Sequence, residues 1–72
     1  MTQAYIQKTI TRGTNGDGPY MLTVQGWGPY EWVIWRETEI GTWTSRISKF
    51  CPTVKQAEAE GLDMIHHLSG AA

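Results

Sequence analysis

The most hydrophobic run of this 72-residue chain is Trp32-Val33-Ile34-Trp35, and it decides which fold the sequence can adopt. Side chains alternate faces along a β-strand, so an extended run directs Trp32 and Ile34 to one face and Val33 and Trp35 to the other. A strand that is apolar on both faces needs cover on both. Because the rest of the sequence offers one helix, we expect something outside the monomer to cover the second face.

Four segments have the composition of strands: 4–12, 20–25, 30–36 and 42–50. The segment 13–19, with three glycines and an Asn-Gly pair, has dense turn chemistry, and 26–29 and 37–41 separate the later strands. No helical pattern intervenes between these strands, which predicts an antiparallel meander.

Strict alternation along the outer strands gives each residue a predicted face. On the first strand we expect Ile6 and Ile10 on one face and, on the other, the more polar set Tyr5, Gln7, Thr9 and Thr11. On the fourth strand we expect Trp43, Ser45 and Ile47 on one face and, on the other, Thr44, Arg46 and Ser48.

Residues 53–69 have helical rather than strand periodicity. Thr53 followed by Gln56 fits a capping box, in which each side chain bonds the backbone N–H of the other residue. Gly61 falls on the apolar stripe, where it costs about 1 kcal/mol relative to Ala, and we expect close approach of the helix to the sheet to compensate. The residues of the stripe are Val54, Ala57, Gly61, Met64, Ile65 and Leu68.

The sequence therefore predicts an α+β fold, with an antiparallel meander of three to four strands followed by one C-terminal helix packed on one face. We expect residues 1–72 to form a single small domain. A domain of this size buries only about 60% of the surface that its unfolded chain exposes, so its stability margin is small.

The net charge, the single cysteine and the lack of long apolar segments disfavour several classes of function and location. Six Lys and Arg residues against seven Asp and Glu give a net charge of −1, which disfavours duplex nucleic-acid binding. The single Cys51 excludes an internal disulfide and favours a reducing compartment. No signal peptide and no apolar run long enough to span a bilayer is recognisable, so we expect a soluble, cytoplasmic protein without membrane contact.

Motifs for catalysis, metals or cofactors are weak throughout the sequence. The glycines of 13–18 lack the spacing and following helix of phosphate-binding loops. His66 and His67 are adjacent on the helix and do not converge on one ion, and Cys51 lies at the opposite end of that helix from both. We expect no catalytic residue, no metal site and no cofactor, and we interpret the protein as a non-enzyme.

The tryptophans and neighbouring apolar residues are the best candidates for function. Aromatic residues and Met at the centre of a desolvated patch are typical interface anchors. The main hypothesis is a non-catalytic module that uses its helix-free sheet face to form a homodimer or to bind another protein. It is of the kind of small regulator or inhibitor that bacteria and phages encode in short genes. The candidate protein-binding residues are Tyr5, Met21, Trp27, Val33, Trp35 and Trp43.

The alternative hypothesis is nucleic-acid binding, by base stacking on single strands rather than by a grip on duplex. Aromatic residues are interleaved with basic ones in this sequence, which is the combination that such binding uses. The candidate nucleic-acid-binding residues are Lys8, Arg36, Arg46 and Lys49.

A family resemblance extends this alternative. The segment Phe50-Cys51-Pro52-Thr53-Val54-Lys55-Gln56-Ala57 joins the last strand to the helix. With the meander before it, it resembles in layout the plant AP2-type and phage-integrase arm-binding DNA domains. The resemblance covers about twenty residues and implies that the helix-free sheet face reads the major groove. The sequence departs from that family in its few strand-associated cations, so the resemblance transfers no functional residue.

Overall fold

Four strands form one antiparallel sheet in the computed structural model, which describes residues 5–16 and 18–69. The strands are β1 (Ile6–Asn15), β2 (Gly18–Gly26), β3 (Tyr30–Glu37) and β4 (Trp43–Cys51), followed by α1 (Val54–Ser69). Their order in the sheet is β1-β2-β3-β4, and each strand is antiparallel to its neighbour. The predicted α+β meander with one C-terminal helix is therefore confirmed.

The helix covers one face of the sheet, mainly over β3 and the two strands beside it. Trp32 and Ile34 of β3 belong to the core beneath α1, and both are at most 2% exposed. Val33 and Trp35 alternate with them and lie on the opposite face. The other core members are Leu22, Val24, Cys51, Ala57 and Ile65.

Helix α1 begins where the sequence predicts, with Thr53 as its N-cap. The Thr53 hydroxyl accepts a hydrogen bond from the Gln56 backbone N–H at 3.1 Å, which satisfies one of the free donors of the first turn. The Gln56 side chain does not complete the predicted capping box, because it extends along the helix and donates to Glu60 Oε2 at 3.0 Å. The structure thus shows the Thr53 half of the motif.

Gly61 lies where the helix packs closely against the sheet. A Cβ on Gly61 would meet Leu22 Cδ1 at 2.6 Å, and Leu22 is completely buried. The predicted compensation for a glycine within the helix is therefore confirmed: its lack of a side chain lets α1 pack against β2.

Two register shifts change the faces that simple alternation predicts. One lies between Thr9 and Thr11 on β1, and the other separates Ser45 from Ile47 on β4. A β-bulge inserts one extra residue into a strand and so moves every later side chain to the other face. Thr11 accordingly pairs with Leu22 of the helix-covered face, which corrects its predicted grouping with Thr9.

The first turn is shorter than the sequence predicts. Gly13 and Asn15 still belong to β1, and Gly18 already belongs to β2 and pairs with Asn15. Gly13 has a packing role instead of a turn role, because a Cβ there would meet the Tyr20 hydroxyl oxygen at 2.7 Å. Asp17 lies outside the described residues, as do Met1 to Ala4.

A helix that crosses a bilayer needs about 20 mostly apolar residues. Within residues 5–16 and 18–69, no helix meets that requirement.

Candidate interaction surface

The sheet surface opposite α1 is called the helix-free face, and rows of paired residues across the strands define it. Residues that pair across neighbouring strands share a face. The rows are Arg12-Met21-Trp35-Ser45, Thr9-Thr23-Val33-Ser48 and Gln7-Gln25-Glu31-Phe50, and Trp43 lies beyond the first row on β4.

The centre of the helix-free face is covered by the chain's own side chains. Val33 is 3% exposed and Thr23 is 5% exposed, although no helix lies over them. The Trp35 indole Nε1 donates to Thr23 Oγ1 at 2.9 Å, and Met21 beside it is half-buried. A small second core therefore exists on this side of the sheet, and it reduces the need for an external cover at the centre.

One end of the helix-free face is covered by an arginine. The Arg12 guanidinium lies 5.9 Å from the centre of the Trp43 ring, within the range of a cation–π contact. Since Arg12 belongs to β1 and Trp43 to β4, this contact joins the two outer strands of the sheet. Trp43 is half-buried as a result.

The other end of the face carries exposed aromatic rings. Trp27 is 59% exposed, Phe50 61% and Tyr5 44%. The Tyr5 and Trp27 rings meet edge to face, with their centres 4.6 Å apart, a geometry that aromatic pairs favour. The rings border a cleft of about 390 Å³, within the size range of ligand pockets. This aromatic cleft is lined by Tyr5, Gln25, Gly26, Trp27, Gly28, Pro29, Glu31 and Phe50.

The β2–β3 connection holds Trp27 at the cleft by an unusual backbone path. Gly26 has a φ of +132° and Gly28 a φ of +127°, a region that side chains with a Cβ rarely adopt. A Cβ on Gly26 would also meet the Pro29 carbonyl oxygen at 2.8 Å. The two glycines therefore let the chain fold back tightly enough to leave the Trp27 ring projecting beside Tyr5.

Two side chains with acceptor oxygens, Glu31 and Gln25, are among the residues that line the aromatic cleft. Glu31 contributes the only charged side chain among the eight residues that line it. The Gln25 side-chain oxygen is buried and has no hydrogen-bond partner among the described residues. Because this oxygen is buried, it lies behind the cleft surface, and Glu31 is the charged acceptor that a ligand in the cleft would meet.

The six predicted protein-binding residues fall into three groups on the helix-free face. Tyr5 and Trp27 meet at the aromatic cleft. Met21, Val33 and Trp35 form the self-covered centre, and Trp43 lies at the far end beneath Arg12. The structure therefore brings the exposed members together at one end and buries Val33 inside the chain.

Sequence reasoning missed six residues of the cleft: Gly26, Gly28 and Pro29 of the β2–β3 connection, and Gln25, Glu31 and Phe50 of the strands. Strict alternation along β4 would put Phe50 on the face opposite Trp43. The bulge at Arg46 reverses that assignment and brings Phe50 into one row with Gln25 and Glu31. No local signal in the sequence marks this bulge, so the row was not predictable from alternation alone.

The four candidate nucleic-acid-binding residues lie on the other side of the sheet, beside α1. Lys8 is bound to Glu58 of the helix at 2.7 Å. Arg36 donates to Asn15 Oδ1 at 2.7 Å and to the Gly18 carbonyl at 2.9 Å. Its guanidinium also lies 5.7 Å from the centre of the Tyr20 ring. Lys8 and Arg36, two of the four candidate cations, are therefore already bound to groups within the chain.

Lys49 and Arg46 complete this group on the helix-covered side. Lys49 pairs with Trp32, whose ring is buried in the core beneath α1. Arg46 lines a hollow with Leu68 of the helix and with Ile47. The predicted cations and the exposed aromatic rings are therefore on opposite faces.

Cys51 lies at the end of β4 and is 2% exposed. Burial raises the pKa of its thiol above the ordinary value, and the neighbouring Glu60 carboxylate raises it further. The pKa of Glu60 is lowered, first by the hydrogen bond from Gln56 and then by that from Cys51. The Cys51 side chain is thus a neutral thiol at pH 7, whereas nucleophilic catalysis needs a thiolate.

His66 and His67 are exposed in the last turn of α1. Among residues 5–16 and 18–69, no group of three or more His, Cys, Asp or Glu side chains is placed to hold a metal ion.

No protein-family model, curated protein or solved structure matches this chain.

Proposed function

We propose that the chain is a non-catalytic interaction module that binds protein, either a second copy or another protein, through the helix-free face. The observation that carries the proposal is the clustering of three exposed aromatic rings, Tyr5, Trp27 and Phe50, around one cleft. Exposed aromatic groups cost free energy in water, and aromatic anchors in pockets dominate protein interfaces. The self-covered centre of the face gives such a contact a rigid base.

Protein binding accounts for the charge distribution better than nucleic-acid binding does. Single-strand binders combine stacking rings with a positively charged groove that follows the phosphates. Here Glu31 is the only charged residue lining the aromatic cleft, and Lys8, Arg36, Arg46 and Lys49 lie on the opposite side of the sheet. A phosphate backbone next to Glu31 would be repelled.

The experiment compares the wild-type chain with the double variant Trp27→Ala/Phe50→Ala. Light scattering over a dilution series measures self-association, and affinity capture measures binding of other proteins. We expect the variant to lose whichever of these contacts the wild type makes, because truncating interface anchors costs about 2 kcal/mol or more each.

The matched control is Leu62→Ala, which truncates an exposed apolar residue of α1, 44% exposed in the structure. It should keep every contact of the wild type. The proposal is wrong if the wild type is strictly monomeric and the double variant captures the same proteins as the wild type. Titration with single-stranded oligonucleotides at low salt tests the alternative, since base stacking would quench tryptophan fluorescence.

A further inference from the structure

We infer that the aromatic cleft binds the guanidinium group of an arginine side chain presented by a partner protein. The inference rests on the proposed function and names the chemistry that one end of the helix-free face recognises.

The rings provide the surface on which a planar cation stacks. Trp27 and Phe50 are each more than half exposed, and Tyr5 supports Trp27 edge to face at 4.6 Å. The face of an aromatic ring attracts cations, and among the side chains Trp does so most strongly. An apolar occupant would also fit the rings, so the rings alone do not select the ligand.

The polar groups make that selection. Glu31 gives the cleft a negative charge, and no Lys or Arg is among its lining residues. A carboxylate beside stacking rings favours a ligand that is at once flat, cationic and rich in N–H donors. The guanidinium of arginine has all three properties, and its planar donors match a carboxylate.

The same pairing already occurs twice inside this molecule. Arg12 lies over the Trp43 ring at 5.9 Å, and Arg36 lies over the Tyr20 ring at 5.7 Å. The aromatic cleft presents comparable rings with no arginine among its lining residues. Of the three arginines of the sequence, these two are already stacked, and the third, Arg46, lies beside α1 on the other side of the sheet. A second copy of the chain thus has one exposed arginine to offer, and we infer a different protein as the occupant.

The test is titration of the isotopically labelled chain with blocked pentapeptides, Gly-Gly-Arg-Gly-Gly and the same peptide with citrulline or lysine in place of arginine. Nuclear magnetic resonance follows the indole N–H of each tryptophan separately. We expect the arginine peptide to shift the Trp27 signal but not the Trp43 signal, with a dissociation constant on the order of 1 mM. Citrulline keeps the shape of arginine without its charge, and its peptide should bind at least about tenfold more weakly.

Two variants locate the contact, and a third is the control. Glu31→Gln should weaken the arginine peptide about tenfold, since a charged hydrogen bond becomes a neutral one. Phe50→Ala should abolish detectable binding while leaving the Trp27 signal as a probe. Glu37→Gln removes an exposed carboxylate at the far end of the same face and should change nothing. All three positions are at the surface, and the dispersion of the spectra verifies that each variant is folded.

Several results would overturn the inference: no shift of Trp27 with the arginine peptide at about ten times the expected dissociation constant, equal binding of the citrulline peptide, or tighter binding of the lysine peptide. These failures are distinct from failure of the proposed function. If the peptides do not bind but Trp27→Ala/Phe50→Ala still loses a protein contact, the module binds protein by other chemistry. If both tests fail, the helix-free face is not an interaction surface.

Discussion

At Cys51, burial of one side chain makes the stability of the folded chain depend on pH. Cys51 is 2% exposed, and its thiol has a pKa above the ordinary value of 9.0 because burial disfavours the thiolate. The folded chain therefore holds the neutral form at pH values where the unfolded chain begins to lose the proton. Stability from this group is fully present below the unfolded pKa and is lost as the pH rises toward the folded pKa.

We expect two measurable consequences for Cys51. A thiol reagent should modify it far more slowly in the native chain than in the unfolded chain. The free energy of unfolding, measured with urea, should also fall relative to that of Cys51→Ala as the pH rises above about 9.

The control for Cys51 reactivity is Ser48→Cys in the Cys51→Ala background, which places a thiol at an exposed position of β4. That thiol should react at the rate of a free cysteine. Equal rates for Cys51 and for the control thiol would show that Cys51 is not buried in solution.

At the scale of elements, the contact between α1 and β2 depends on Gly61. Replacing Gly by Ala within a helix normally stabilises it by about 1 kcal/mol. At Gly61 the new methyl would meet Leu22 Cδ1 at 2.6 Å in a fully packed core, and overpacking costs about 1–3 kcal/mol. We therefore expect Gly61→Ala to lower the free energy of unfolding by about 1 kcal/mol, as measured by chemical denaturation.

Ala59→Gly, at an exposed position of the same helix, calibrates this prediction. It should cost about 1 kcal/mol through helix propensity alone. If Gly61→Ala instead stabilises the protein by the amount that Ala59→Gly costs, the helix does not approach β2 as closely as the structure shows.

The helix was predictable to within one residue of its start because its signals are local. Thr53 caps the first turn, and buried Ala57, Gly61 and Ile65 repeat at helical spacing. Strand positions were predictable for the same reason, although β1 and β2 extend further into the turn than expected. The bulges were not predictable, since a register shift depends on the partner strand rather than on the sequence of the bulged one.

At the scale of the whole molecule, stability rests mainly on the core under α1. Leu22 lies at its centre, fully buried. Leu→Ala in a core costs about 2–5 kcal/mol, a large share of the stability of a small domain, which is about 5 kcal/mol at the low end. We expect Leu22→Ala to lose about 2–5 kcal/mol of its free energy of unfolding, as measured by urea denaturation followed by circular dichroism.

Leu62→Ala is the matched control, since Leu62 is 44% exposed on α1. It should change the free energy of unfolding by about 0.5 kcal/mol or less. Comparable losses in the two variants would mean that the core is not centred on Leu22.

The whole molecule also decides the arrangement of functional groups. The sequence interleaves cations with aromatic residues along the strands, and that pattern kept nucleic-acid binding open as an alternative. The fold separates them, with Lys8 and Arg36 beside the helix-covered side and Trp27 and Phe50 at the aromatic cleft. This separation arises from alternation and register together, so neither property alone reveals it.

The sequence by itself determined the order of elements, the capped helix and a central strand that is apolar on both faces, because periodicity and capping are local properties of neighbouring residues. Only the tertiary structure decided that Val33 is covered by the chain's own side chains and that Phe50 joins Glu31 and Trp27 around a cleft. Strand pairing and bulges fix which distant residues share a face, and these depend on the energy of the whole sheet.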